Sequence, residues 1–222
     1  MITKLISIHS RFHSLNMRLS QLFFLILLTT ANIAMATEEP KFTILDQEDS
    51  FEIRVYPSKI IAEVIVEGSM SEASRKGFRL IADFIFGNNK SQSGKSEKIS
   101  MTAPVIIESN SEKIAMTAPV SIAEEGKGWR VYFIMPETYS MSTLPVPNNP
   151  KVVIRELPNK KVAVHQFSGL VTENKMQEKV ALLSDWLNKK SLKSISNPEL
   201  ARYNPPWTLP FLRRNEIMIE IE

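Results

Sequence analysis

The feature that most constrains this chain is a repeat: Phe51 to Gly68 reads FEIRVYPSKIIAEVIVEG, and 101 residues later Val152 to Gly169 reads VVIRELPNKKVAVHQFSG. Six positions agree: Ile53/Ile154, Arg54/Arg155, Pro57/Pro158, Lys59/Lys160, Ala62/Ala163 and Gly68/Gly169. In each copy β-branched runs flank a proline-containing turn, which is the pattern of a β-hairpin, and each copy runs on into a helical pattern. After the first, Ser69 and Glu72 form a capping box, and Ala73, Gly77, Leu80, Ile81, Phe84 and Ile85 recur at three- and four-residue spacing until Gly87 closes the helix. After the second, a helix starts near Thr172 and places Met176, Val180, Leu183 and Leu187 on one stripe with Trp186 beside it. Lys189 and Lys190 fall at its end, where positive charge suits the helix dipole. The same order of elements twice over predicts a duplication, with residues 51–87 and 152–188 superimposing and both helices covering one antiparallel sheet, an α+β fold.

Between and after the copies the segments differ in character. Asn88 to Lys98 is polar and contains Gly94, which predicts a mobile linker outside the core. Its Gly94-Lys95-Ser96 superficially suggests a phosphate loop, but Asn89 stands where the earlier glycine is required and the segment follows a helix, so no nucleotide is expected. Two octets follow, KISMTAPV at Lys98 to Val105 and KIAMTAPV at Lys113 to Val120, identical at seven of eight positions. Their prolines favour an extended backbone at the preceding alanine, which predicts two extended segments joined by a polar turn at Glu108 to Glu112. Trp129 to Met135 reads as a strand, and Pro145, Pro147 and Pro150 stiffen a connection expected to be peripheral. Tyr203 to Trp207 and Pro210-Phe211 form an aromatic, proline-rich loop, after which Ile217, Ile219 and Ile221 alternate with more polar neighbours as a terminal strand.

The first 36 residues belong to a different category. Lys4, Arg11 and Arg18 precede the apolar run Leu19 to Leu28, and Ala34-Met35-Ala36 supplies a small-x-small cleavage pattern, so residues 1–36 read as a signal peptide and Thr37 as the first mature residue. A start at Met17 in place of Met1 gives the same mature chain. A retained anchor is the other reading, although the apolar run is shorter than the ~20 residues a bilayer core requires. Loss of the leader lowers Lys plus Arg from 27 to 24, equal to the 24 Asp plus Glu, so the mature chain is formally neutral and gives no basic excess for nucleic acid. With no cysteine, the chain has neither disulfides nor thiolate sites. His165 is the single histidine beyond the leader, so no structural zinc site is expected. The expected compartment is the periplasm in a cell with two membranes, and otherwise the cell envelope or the medium.

The residues Phe51 to Pro57, Met101 to Val105 with its repeat at Met116 to Val120, Phe133-Ile134-Met135-Pro136, Leu144 to Pro150 and Ala201 to Glu216 together resemble the SOUL/haem-binding protein family. The resemblance runs from about Phe42 to the end. It implies a pseudo-twofold, distorted antiparallel β-barrel carrying two helices, similar in architecture to GyrI-like effector-binding domains. Residues 37–222 would then form one domain of two similar halves, about 42–140 and 151–222. It also implies non-covalent haem b as cofactor. One family member places an axial histidine within the EIRxY element, but Val55 occupies that position here.

Of the residues able to meet a tetrapyrrole, His165 is a candidate axial ligand, disfavoured against a structural role. Any of the methionines reads more simply as core filling. Arg75 and Arg79, four apart on the first helix with Phe78 adjacent, could pair with propionates, with Tyr203 and Trp207 closing the groove; a solvated helix face with Glu72 near Arg75 is the plainer alternative. Loss of both Arg75 and Arg79 is therefore expected to weaken haem binding more than loss of His165. No Cys-His pair, nucleophile elbow or paired acidic motif points to catalysis. The expected function is thus non-enzymatic binding of haem or a related tetrapyrrole, for transport, storage or buffering. The alternative is a general hydrophobic-ligand or protein-interaction module.

Overall fold

The computed structural model describes residues 37–109 and 128–222. Its elements in chain order are strands β1 (Thr43–Glu48), β2 (Phe51–Tyr56) and β3 (Lys59–Val66), helix α1 (Met70–Ile85), then β4 (Asn89–Lys90), β5 (Val105–Ser109), β6 (Trp129–Ile134), β7 (Val146–Pro147), β8 (Val153–Leu157) and β9 (Lys160–Phe167). Helix α2 (Glu173–Lys189), β10 (Glu199–Arg202) and β11 (Asn215–Glu220) complete it.

Nine strands form one antiparallel sheet in the order β1-β2-β9-β11-β10-β5-β6-β3-β8. The expected hairpins are not present. β2 and β3, joined by Pro57 and Ser58, do not pair with each other; β2 pairs with β9, and β3 pairs with β8. Each strand of a repeat copy thus finds its partner in the other copy. If β2, β3, β5 and β6 are exchanged for β8, β9, β10 and β11, the order from β2 to β8 reads the same backwards.

This order forces curvature. β2 and β3 lie six strand intervals apart, about 29 Å in a flat sheet at ~4.8 Å per strand. The link Pro57-Ser58 spans three Cα steps, about 11 Å at most. Pro158-Asn159 imposes the same constraint on β8 and β9, and the two links touch where the Ser58 amide donates to Asn159 Oδ1 at 2.5 Å. Even so, β1 and β8 end the hydrogen-bonded series without pairing to each other, so the barrel implied by the resemblance is here an open, curled sheet.

Both helices pack on one face of this sheet. Ser69 caps α1 with the full capping box, and Ala73, Gly77, Ile81 and Phe84 face inward. Gly77 lets the helix approach closely: a Cβ there would lie 2.6 Å from Cβ of Val131 on β6. Thr172 caps α2, whose Met176, Leu183, Trp186 and Leu187 are buried. The helix starts are joined, since Glu173 Oε1 accepts from the Met70 amide at 2.9 Å. On the opposite face, where no helix lies, Tyr56, Ile61, Tyr132 and Val164 are also buried, because the sheet curls around them.

Four further expectations change. Asn88 to Lys98 is anchored by buried Asn89, whose amide donates to the carbonyls of Phe84 (2.8 Å) and Glu97 (2.7 Å), and β4 pairs with β7. That pairing also draws the proline-rich connection inward, with Leu144, Pro145 and Val152 buried. β11 is a central strand between β9 and β10; Glu216 and Met218 are as buried as Ile217 and Ile219. Of the first octet only Val105 is in a strand, while Thr102 bridges to Glu38. The second octet, the leader and the cleavage site lie outside the described residues.

Candidate functional site

An open groove of about 720 Å³ lies between α1 and the edge of the sheet. It exists because β8 is short. β8 pairs with β3 only as far as Glu63 and Val153, so Ile65 and Val66 hydrogen-bond on one side alone, to β6. Ile65, Val66, Leu80 and Val153 give the groove apolar walls, and Lys76, Arg79 and Lys151 bring positive charge to it. Glu63, which also borders it, is neutralised by Arg130 at 2.6 Å and Arg155 at 2.9 Å. Glu67 is the remaining acid. An apolar body bearing carboxylates matches this surface, and the volume is that of a small-ligand site.

A second cavity of about 360 Å³ lies under the Pro57-Ser58 link. Its walls carry Glu38, Glu39, Glu137 and Glu156 against Lys41 and Lys59. That balance disfavours an anionic ligand. Lys59 is lowered to about 8, by burial first and then by Lys160.

The residues singled out in the sequence do not converge. Arg79 lines the groove, but Arg75, one turn earlier and exposed, does not. Phe78 points to the other flank of α1 and packs on Phe133, ring centres 5.4 Å apart. Tyr203 cannot close the groove, because it sits on the helix-free face: its hydroxyl donates to Glu216 at 2.6 Å and Arg214 lies 3.5 Å over its ring. Burial and then Glu216 push its phenol far up. Trp207 is 82% exposed on the loop beyond β10. The contributions of Lys76 and Leu80 were open to a reading of helical spacing, since both fall on the flank of Arg79; those of Lys151, Ile65 and Val153 depend on where β8 stops.

His165 is locked into an aromatic column. Its ring is near-parallel to Phe51 at 4.5 Å and to Phe167 at 5.9 Å, and Phe51 in turn stacks on Trp186 at 5.3 Å. Nδ1 lies 3.2 Å from the Ser50 hydroxyl, and the residue is 5% exposed. Nε2 is buried and, among the described residues, without a hydrogen-bond partner, so an iron could reach it only if the residues around it moved apart. Burial, and then Lys179, hold the imidazole below its ordinary 6.5. Below that pH the unfolded chain takes up a proton that the folded chain resists, so stability should fall on acidification through this range and be indifferent to His165 above it. His165→Phe retains the stack and should flatten the slope of urea-unfolding free energy against pH. An unchanged slope would assign it to other groups.

The helix-free face carries a closed charge network. Arg54 donates to Glu216 at 2.9 and 3.2 Å, to Glu52 at 2.6 Å and to Tyr56 at 3.0 Å. Lys160 and Glu199 pair at 2.9 Å. With its partners in place this is structural chemistry. Among the described residues no group of three or more His, Asp or Glu is placed to hold a metal ion.

The sheet and its two helices place the protein in a fold class shared with solved structures of low sequence identity. An uncharacterized conserved protein from Listeria innocua matches with a TM-score of 0.57 at 10% identity, over 79% of this chain and 93% of that one. The EcmrR C-terminal domain matches at 0.52 and 10%, over 78% and 96%. A hydrolase from Listeria innocua matches at 0.51 and 9%, over 80% and 94%. These likenesses show the fold alone. The chain belongs to the SOUL heme-binding protein family, whose profile matches residues 37–220. No curated protein sequence matches it significantly.

Proposed function

We propose that the protein binds haem or a related tetrapyrrole reversibly, without catalysis, for transport, storage or buffering in the cell envelope. The groove beside α1 carries this reading: apolar walls for the macrocycle and Lys76, Arg79 and Lys151 for its carboxylates. Haem is held there by its faces and propionates, and the reading draws on no axial imidazole, which the burial of His165 supports. The envelope setting is supported by the leader, and a mature chain starting at Thr37 is what it requires. The mirrored strand order supports a duplicated origin for the two halves.

Titration of the folded protein with haem, metal-free porphyrin and a fatty acid tests the proposal. Saturable one-to-one binding of both porphyrins, with weak fatty-acid binding, is expected. Lys76→Ala/Arg79→Ala should weaken haem binding by about tenfold or more, about 1.4 kcal/mol, and His165→Ala by less than about tenfold if it stays folded. A folded His165→Ala protein that loses most of its affinity together with a nitrogen-ligated spectrum would overturn the model. The second reading, a general hydrophobic-ligand module, draws on the same enclosure of His165, and equal binding of all three compounds would favour it.

A further inference from the structure

The loop between β10 and β11 displays what most loops hide. Trp207 is 82% exposed, Leu209 55%, Phe211 69% and Leu212 61%, and Leu170 beside them is 60% exposed. The Gly169 amide ties Leu170 to this loop by donating to the Pro210 carbonyl at 3.0 Å. Single exposed apolar side chains are ordinary, but a cluster of this size marks an interaction surface.

Nor is the loop slack. Its base is closed by the Arg214 amide donating to Asn204 Oδ1 at 2.6 Å and by the Tyr203 amide donating to the Arg214 carbonyl at 3.2 Å. The Arg213 side chain donates inward to the carbonyls of Thr208, at 2.8 Å, and Pro206. The carbonyl of Pro205 accepts from Thr208, that of Leu209 from Leu212, and that of Pro210 from Arg213. Pro205, Pro206 and Pro210 have no amide hydrogen to satisfy. A loop with so much of its backbone polarity met internally enters an apolar medium at a much reduced desolvation cost.

Charge selects the medium. From Leu200 to Asn215 there is no carboxylate, while Arg202, Arg213 and Arg214 are all present. Arg214 pairs with Glu39. Arg202 and Arg213 form no ion pair among the described residues, and Arg202 reaches only Ser74 Oγ at 3.3 Å and the Val171 carbonyl at 3.4 Å. Trp, Leu and Phe at the tip with arginine at the base is the arrangement of an interfacial membrane anchor.

We infer that residues 205–212, with Leu170, dock the protein on an anionic bilayer surface, Trp207 entering the headgroup boundary above the carboxylate-free, arginine-bearing base of the loop. The inference is independent of the tetrapyrrole reading, and its test contains no haem. The full chain is mixed with vesicles of phosphatidylethanolamine and phosphatidylglycerol bearing brominated acyl chains, and tryptophan quenching is compared between wild type and Trp207→Phe, which retains Trp129 and Trp186. Quenching should be largely lost in Trp207→Phe, whatever else in the chain touches lipid. Phe211→Ser/Leu212→Ser should weaken vesicle partition by about tenfold or more, with unchanged circular dichroism. Equal quenching in wild type and Trp207→Phe overturns the proposal, as does equal partition onto neutral phosphatidylcholine. Absence of vesicle binding, with self-association that disappears in Phe211→Ser/Leu212→Ser, also overturns it and makes the loop a protein interface.

Discussion

Arg54→Met should lower the unfolding free energy by about 3–5 kcal/mol, a large part of the ~5–15 kcal/mol that holds a domain of this kind together. The arginine is buried and serves the Glu216 carboxylate twice, and it also serves Glu52 and the Tyr56 hydroxyl. Methionine fills similar space but leaves Glu216, almost without solvent contact, a buried anion held by the Tyr203 hydroxyl and the more distant Arg214. Methionine at both positions removes the stranded charge, so Arg54→Met/Glu216→Met should recover much of the loss. Urea unfolding followed by circular dichroism measures both. A single variant within about 1 kcal/mol of wild type would mean that water reaches the carboxylate and that the face is less enclosed than its packing indicates.

Gly77→Leu should cost about 3 kcal/mol. Glycine is a poor helix former, and its replacement alone would favour α1 by about 1 kcal/mol. Contact with the sheet outweighs that gain: even the first added carbon would lie 2.6 to 2.9 Å from three atoms of Val131, which is fully buried on β6. α1 must therefore lift from the sheet, taking Lys76 and Arg79 away from Ile65 and Val153, so that the proposed haem binding should weaken along with stability. Val131→Ala in the same chain should restore part of both, because it removes the atoms that collide. Additive losses in that double-mutant cycle would show that the two residues do not share the contact.

The local structure was legible in the sequence to the extent that it depends on neighbours in the chain. Ser69, Glu72 and Thr172 mark the helix starts, and the apolar stripes of both helices face the sheet, buried except for half-buried Leu80 and Val180. Pairing depends on partners far along the chain, and there the reading failed for a definable reason. A Pro-containing turn between β-branched runs is the signal of a hairpin, yet the same two residues can carry the chain from one end of a curled sheet to the other. Nothing in YPSK separates the two cases. The site suffered accordingly. Arg79 was identifiable as an outward cation on α1, whereas Lys151 and Val153 join it only because β8 ends where it does. Tyr203 was read as part of a free aromatic loop because its partners, Glu216 and Arg214, are met only once β10 and β11 pair.

The position of β11 bears on when the molecule can form. β11 follows every other strand of the sheet in the chain yet lies near its middle, and without it β9 and β10 have no common neighbour. β2 likewise waits for β9, and β3 for β8. Neither half is therefore a unit that can settle while the ribosome is still adding the other, and the contacts that complete the sheet span most of the polypeptide. Until β11 is made, β9 and β10 each keep an open edge, so an unfinished chain presents strand edges that only its own later residues can cover.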